Sequence, residues 1–130
     1  MKSFERPHLA GATILIVEDE YFLANELAKT LRAEGAEILG PAPSVEAAER
    51  LLDQTRPDCA LVDMNLRGAP GAALVKRLDE DGVRFAVLSG YDRATLPPEI
   101  DGAPYIEKPA TAAAVTDVVF RLIDRARTPG

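Results

Sequence analysis

The sequence predicts an α/β fold in which helices cover both faces of a buried parallel sheet. Short, unbroken apolar runs alternate with amphipathic stretches along the 130 residues. Runs of this length without interleaved polar residues are typical of strands buried on both faces. Alternation of this kind implies right-handed crossovers, because a parallel strand pair joined through a helix takes that hand. We therefore expect five β-α units folded as a doubly wound, three-layer sandwich.

Five segments are predicted as strands. In chain order they are Ile14 to Val17, the weaker Ile38-Leu39, Cys59 to Val62, Phe85 to Leu88, and the short Tyr105-Ile106. Helical spacing marks the stretches that follow most of them. The apolar stripes are Leu23, Leu27 and Leu31; Val45, Ala48, Leu51 and Leu52; Leu74, Val75 and Leu78; and Val115, Val118, Val119, Leu122 and Ile123.

Capping and turn residues support these boundaries. Gly35 is placed to end the first helix, and Ser44 is placed to cap the second after the connection Gly40-Pro41-Ala42-Pro43. The stretch from Asp92 to Gly102 holds Pro97-Pro98 and little apolar periodicity. A fourth helix in that stretch is therefore expected to be short or distorted.

Length and composition favour one globular domain. Apolar residues make up 47% and charged residues 28% of the chain, as in ordinary globular domains. We assign residues 1–12 to an N-terminal extension, 13–126 to the domain and 127–130 to a C-terminal tail, which leaves no room for an output domain. A net charge of −6 opposes non-specific attraction to nucleic acid or to an anionic membrane.

The sequence also favours a cytoplasmic protein. No apolar stretch approaches the roughly 18 residues of a membrane span, and the start lacks a signal-peptide core. Cys59, the single cysteine, lies in an apolar run and is expected to be a buried, inert thiol. With one histidine, His8, a transition-metal site has little support.

Polar residues follow four of the predicted strands, at the sheet edge where ligands bind in open α/β folds. They are Glu18-Asp19-Glu20, Asp63-Met64-Asn65, Ser89-Gly90 and Glu107-Lys108-Pro109. Clustered carboxylates recruit a cation, and hard oxygen ligands favour Mg²⁺. A carboxylate can also attack phosphorus to form an aspartyl-phosphate. The metal, the Lys108 ammonium and the Ser89 hydroxyl would then each hold a different oxygen of the transferring group.

These four motifs, in this order, resemble the receiver domain of two-component response regulators over residues 12 to 126. The resemblance rests on Ile14 to Glu20, Leu61 to Leu66, Leu88 to Tyr91 and Tyr105 to Pro109. It implies a flavodoxin-like sheet of order 2-1-3-4-5. It also implies that Asp63 is the phosphoacceptor, with Lys108 and Ser89 contacting the phosphoryl group. The metal ligands it implies are Glu18, Asp19, Asp63 and the backbone carbonyl of Asn65.

The resemblance extends to switching and lifetime. Tyr105 takes the place of the family's aromatic switch, and the Lys108-Pro109 bond is expected to be cis. Asn65 and Tyr91 flank the expected water path, so we hypothesise that they tune the lifetime of the acyl phosphate. The stretch Phe85 to Tyr91 is similar to the Phe-Ala-Thr-Gly-x-Tyr-like signature of a subgroup of stand-alone receivers. Because this stretch departs from the pattern of common receivers, the sequence does not predict whether the fourth helix forms the family's usual signalling surface.

The sequence therefore predicts a phosphorylatable single-domain receiver and not an enzyme that acts on a separate substrate. Its partners would be a sensor histidine kinase or phosphotransfer protein and a downstream protein target, with a homodimer left open. One alternative is a pseudo-receiver scaffold that is never phosphorylated. A haloacid-dehalogenase-type phosphatase fits less well, because Asn65 cannot serve as its second, acidic Asp. Flavin binding is opposed by the acidic loop Glu18-Asp19-Glu20.

Overall fold

Strands and helices alternate through the described residues, which are 9–64, 66, 71–90 and 102–127 of a computed structural model. The strands are β1 (Thr13–Val17), β2 (Glu37–Ala42), β3 (Cys59–Asp63), β4 (Arg84–Ser89) and β5 (Tyr105–Glu107). The helices are α1 (Tyr21–Ala33), α2 (Val45–Gln54), α3 (Gly71–Glu80) and α4 (Ala112–Arg127). The short or distorted helix expected around Pro97-Pro98 falls outside the described residues.

All five strands pair in parallel, in the order β2-β1-β3-β4-β5. The predicted fold class and strand order are therefore confirmed. β1 and β3 lie side by side in the middle of the sheet, with Val17 opposite Val62. This pairing brings the carboxyl ends of the two central strands to one edge.

Two apolar cores hold the three layers together. Alternate residues of β1 serve opposite faces, because successive strand side chains point to opposite sides of a sheet. Ile14 and Ile16 join the core beneath α1 and α4. Leu15 and Val17 join the core beneath α2 and α3. Burial on both faces explains why the central strands are unbroken apolar runs.

The predicted caps of α1 and α2 are confirmed. Ser44 is the N-cap of α2, and its hydroxyl accepts a hydrogen bond from the Ala47 amide at 3.1 Å. Gly35 follows α1 with a φ of +97°, the left-handed conformation that ends many helices. Pro57 and Gly82 fall in helix-to-strand connections.

The strand β2 is longer than its sequence predicts. Gly40, Pro41 and Ala42 belong to the strand and not to the connection before α2. The pairing of β1 with β2 shifts register between Leu15 and Val17, which is where β2 carries this segment. Pro41 is tolerated because β2 is an edge strand, and the Gly40-Pro41 peptide bond is cis.

The N-terminal extension contributes to the core. Leu9 is 1% exposed and Ala12 is fully buried, and both belong to the core beneath α1 and α4. The Leu9 amide donates a hydrogen bond to the Glu34 carbonyl at 2.9 Å. The chain before β1 is thus anchored at the carboxyl end of α1, which no periodic pattern indicated.

Replacement of Gly40 tests the geometry of β2. Gly40 has a φ of +97°, and an added Cβ would lie 2.6 Å from the Ala42 nitrogen and 3.1 Å from the Ile16 carbonyl oxygen. Gly40→Ala should therefore lower the free energy of unfolding by more than the ~1 to 2 kcal/mol of the left-handed conformation alone. Urea denaturation measures the loss.

Gly11→Ala is the matched control, because Gly11 has a φ of +81° but nothing within 4 Å of its added Cβ. It carries the conformational cost without the steric one. Equal losses of stability in the two variants would contradict the close approach at Gly40.

Candidate functional site

The candidate site lies at the carboxyl edge of the sheet, where four strands deliver polar residues. Asp63 and Ser89 are the last residues of β3 and β4. Glu18 directly follows β1 and Lys108 directly follows β5. The strand order places these four ends next to one another, as the sequence predicts.

Backbone hydrogen bonds between adjacent strand ends fix the positions of these residues. The Glu18 amide donates to the Ala42 carbonyl, and the Lys108 amide donates to the Ser89 carbonyl, each at 2.9 Å. Met64, the residue after Asp63, donates its amide to the Leu88 carbonyl at 2.9 Å. The functional side chains therefore project from backbone held by the sheet.

Lys108 joins the two buried carboxylates. Its Nζ lies 3.0 Å from Oδ1 of Asp63 and 3.5 Å from Oε1 of Glu18. The side chains of Asp63 and Glu18 are each 1% exposed, whereas that of Lys108 is 22% exposed. The ammonium thus lies between two carboxyl groups that are almost fully buried.

The balance is incomplete at Glu18. Burial, followed by the neighbouring Asp63 carboxyl, raises the pKa of Glu18 to about 7. Oε2 of Glu18 accepts a hydrogen bond from the Glu20 amide at 3.1 Å. Oε1 accepts no hydrogen bond from the described residues. Among the described residues this buried oxygen therefore has only the longer ion pair with Lys108 at 3.5 Å, and a metal cation would satisfy it more fully.

Lys108 keeps its positive charge in this site. Burial disfavours the charge on Lys108, but the hydrogen bond to Asp63 and the charges of Asp63 and Glu18 outweigh it, so the pKa of Lys108 is raised. Lys108 therefore remains an ammonium at neutral pH. It supplies the fixed positive charge of the site.

A divalent cation fits the remaining acidic groups. Glu18, Asp19 and Asp63 each offer a carboxylate oxygen, and these atoms all lie within 4.8 Å of one another. Oxygen donors at this spacing suit Mg²⁺, which uses few protein carboxylates and keeps several waters. The donor set and the unsatisfied oxygen of Glu18 together fit the metal that the sequence implies.

The other predicted site residues lie partly inside and partly outside the described ranges. Ser89 is fully buried at the end of β4, and Tyr105 is half-buried on β5 beside the core residues Val75 and Val87. The Lys108-Pro109 peptide bond is cis, as the resemblance implied. Asn65 and Tyr91, the two residues assigned to metal binding and lifetime, lie outside the described residues.

An aromatic pair beside the site was missed by the sequence reasoning. Tyr21 and Phe22, at the start of α1, are 82% and 73% exposed. A cleft of about 190 Å³ between Tyr21, Pro41 and Pro43 opens onto Glu18 and Asp19. The signal was available, since both aromatics directly follow the acidic motif and fall outside the apolar stripe of the helix.

Comparison with known proteins identifies the architecture. The family model for the response regulator receiver domain matches residues 14–120. The chain belongs to this family. Receiver domains are components of two-component systems, so this chain is a two-component signalling domain.

Individual relatives agree with the family match. The chain is 26% identical over 115 residues to sporulation initiation phosphotransferase F of Bacillus subtilis, covering 85% of this chain and 92% of that protein. An uncharacterized response regulatory protein of Vibrio parahaemolyticus is 27% identical over 113 residues, covering 85% of this chain. The chain spans 47% of the length of that Vibrio relative.

Solved structures show the same fold. A CheY-like response regulator receiver domain protein from Methanospirillum hungatei superimposes with a TM-score of 0.83 at 22% identity. The match covers 94% of this chain and 99% of that one. Among the helices of the described ranges, none is long and apolar enough to cross a membrane.

Cys59 of the receiver domain offers a test of the core beneath the site. It is fully buried in β3, and burial, followed by the charge of Asp58, raises the pKa of its thiol to about 12. Since the thiolate is the reactive form, we expect no reaction with an aromatic disulfide reagent at pH 8 in the native protein. One thiol should react after unfolding in urea. Rapid labelling of the native protein would contradict this burial.

Proposed function

We propose that this receiver domain accepts a phosphoryl group on Asp63 and signals through protein contacts. The observation that carries the proposal is the buried Asp63 carboxylate, 3.0 Å from the Lys108 ammonium and within reach of two further carboxylates. A solvated surface acid has neither the fixed cation nor the neighbouring acids. Such a constellation is expected where charge on a transferring phosphoryl group must be stabilised.

The reaction transfers a phosphoryl group from a donor to the carboxylate of Asp63. An oxygen of Asp63 attacks phosphorus while the bond from phosphorus to the donor breaks, and the donor leaves with its electron pair. Lys108 holds one oxygen of the phosphoryl group with its ammonium, and Ser89 holds another with its hydroxyl. Mg²⁺, when bound by Glu18, Asp19, Asp63 and the Asn65 carbonyl, would offset negative charge on the carboxylates and the phosphoryl group.

The natural donor is proposed to be a phosphohistidine on a cytoplasmic sensor kinase or phosphotransfer protein. The exposed Tyr21 lines the cleft beside Glu18 and Asp19, and the exposed Phe22 is the next residue of α1. Exposed patches of large apolar residues commonly mark protein contacts. A partner that presents apolar side chains around its histidine would bury these aromatics while delivering phosphorus to Asp63. The similarity to a Bacillus subtilis phosphotransferase over nearly its whole length supports this class of partner.

Switching is proposed to run from the phosphoryl group to β4 and β5. Ser89 ends β4, and the Lys108 amide is hydrogen-bonded to the Ser89 carbonyl, so both phosphoryl contacts are coupled through one backbone bond. The new charge of about −1.5 to −2 would draw Ser89 and Lys108 inward and bias the packing of Tyr105. Hydrolysis of the acyl phosphate, with Asn65 and Tyr91 setting its rate, would reset the domain.

Phosphorylation by a small donor tests the proposal directly. Incubation with acetyl phosphate and Mg²⁺ should add the mass of one phosphoryl group, which neutral hydroxylamine removes because the product is an acyl phosphate. Asp63→Asn should show no such addition, since the amide is not a nucleophile at neutral pH. Removal of Mg²⁺ with a chelator should slow the reaction in the wild type by at least about 10-fold. Intact-protein mass spectrometry provides the measurement.

Asp79→Asn provides a matched control, because Asp79 is an exposed carboxylate on α3 and the change in size and charge is the same. This variant should be phosphorylated like the wild type. Addition to Asp63→Asn, or a product stable to hydroxylamine, would contradict the assignment. A folded wild type that never gains a phosphoryl group would instead support the pseudo-receiver scaffold.

A further inference from the structure

Met64, the residue after Asp63, packs against two separate groups of buried side chains. Like Val62 two residues before it, Met64 lies on the side of the sheet that faces α2 and α3 and packs into the core there. It also packs against a smaller group, the valine pair, which consists of Val75 in α3 and Val87 in β4. Within the described residues, only Met64 and one other partly buried side chain pack against both groups.

The backbone on both sides of Asp63 is held by the sheet. Val62 is fully buried and lies opposite Val87 of β4. The Met64 amide donates a hydrogen bond to the Leu88 carbonyl at 2.9 Å. A closely packed interior transmits small displacements, because it has few voids to absorb them. A movement of Asp63 would therefore reach the side chain of Met64, whose unbranched thioether adapts readily to its surroundings.

The valine pair connects Met64 with Tyr105. Val87 is the register partner of Tyr105 in the pairing of β4 with β5, and adjacent strands lie only about 4.8 Å apart. Tyr105 packs against the valine pair, as Met64 does. A continuous path of packed side chains therefore runs from the residue after Asp63 to Tyr105. The two phosphoryl contacts, in contrast, are coupled through a backbone hydrogen bond.

We propose that Met64 is a positioning residue that couples Asp63 to Tyr105 through the valine pair. This inference rests on the proposed phosphorylation of Asp63. When Asp63 carries the phosphoryl group, its displacement moves Met64, and the valine pair and Tyr105 change their packing in response. Met64 takes no part in the phosphoryl transfer. Its side chain sets how strongly a change at Asp63 alters the surroundings of Tyr105.

A double-mutant cycle tests the packed path in the unphosphorylated protein. Met64→Ala should lower the melting temperature by about 4 to 10 °C, because it removes a partly buried side chain. The loss in the double variant with Tyr105→Ala should fall short of the sum of the single losses by at least about 2 °C, since both changes loosen the valine pair.

Leu51→Ala is the matched control for this cycle. Leu51 is also partly buried and packs against the core beneath α2 and α3, but within the described residues it does not pack against the valine pair. Its effect on the melting temperature should therefore add to that of Tyr105→Ala.

Fluorine NMR tests the coupling itself. Fluorotyrosine incorporated at the three tyrosines gives one resonance for each, and Tyr21→Phe and Tyr91→Phe identify the resonance of Tyr105. Acetyl phosphate with Mg²⁺ should shift this resonance in the wild type, with phosphorylation checked by intact mass. Met64→Ala should still be phosphorylated but should lose at least about half of the shift. Met64→Leu should restore the shift, because Leu has a similar volume, and Leu51→Ala should keep it.

Four results would overturn the proposal. They are additive losses in the cycle of Met64→Ala with Tyr105→Ala, a full Tyr105 shift in phosphorylated Met64→Ala, an equal loss of the shift in Leu51→Ala, and a Tyr105 resonance that phosphorylation of the wild type leaves unmoved. A wild type that gains no phosphoryl group would instead contradict the proposed function and with it the coupling. The melting temperatures would then still show whether the packed path exists.

Discussion

The electrostatic balance among Asp63, Glu18 and Lys108 is the constraint on which the site depends. Within the described residues, Asp63 and Glu18 are buried at the sheet edge, and the Lys108 ammonium lies 3.0 Å from Asp63 and 3.5 Å from Glu18. Burying a charge is costly unless it is paired, so one ammonium shared by the two carboxylates of this described set balances them only partly. Burial, followed by the neighbouring Asp63 carboxyl, raises the pKa of Glu18 to about 7. The Mg²⁺ of the proposed function would supply further positive charge at this cluster.

The strand order of the sheet brings the two carboxylates and the ammonium together. Glu18 and Asp63 come from β1 and β3, which are neighbours in space although β2 and α2 separate them in sequence. Lys108 approaches from the edge strand β5, and its position is tied to β4 through the Ser89 carbonyl. A shift of β5 or β4 therefore alters the distance between the ammonium and Asp63. In the function proposed above, the same hydrogen bond would couple phosphorylation of Asp63 to the surface around Tyr105.

Local sequence patterns predicted the strands and the helix cap, because each depends on residues that are close together in the sequence. The apolar runs located the strands because both faces of the sheet are buried, and Ser44 capped α2 as its hydroxyl allows. The site could be predicted because strand ends converge in this fold, so polar residues after apolar runs meet at one edge. For the described residues, the predicted gathering of Glu18, Asp19, Asp63 and Lys108 agrees with the geometry.

Features that depend on distant partners were not predicted. The extension of β2 through Pro41 requires a partner strand and a left-handed Gly40, neither of which periodicity reveals. Leu9 lies in no periodic apolar pattern, and its burial depends on packing in the core beneath α1 and α4 and on the hydrogen bond from its amide to the Glu34 carbonyl. Tyr21 and Phe22 were overlooked for a different reason, because their signal is local: both lie outside the apolar stripe of α1 at Leu23, Leu27 and Leu31 and directly follow the acidic motif.

The most direct test of the electrostatic account is the number of protons released when Mg²⁺ binds. Calorimetric titration at pH 7 in two buffers of different ionisation enthalpy gives that number. With a Glu18 pKa of about 7, binding should release about half a proton per ion at pH 7 and almost none roughly two pH units higher. The pH-dependent release should disappear in Glu18→Gln. Mg²⁺ binding without proton release at pH 7, or with the same release in Glu18→Gln, would contradict the account.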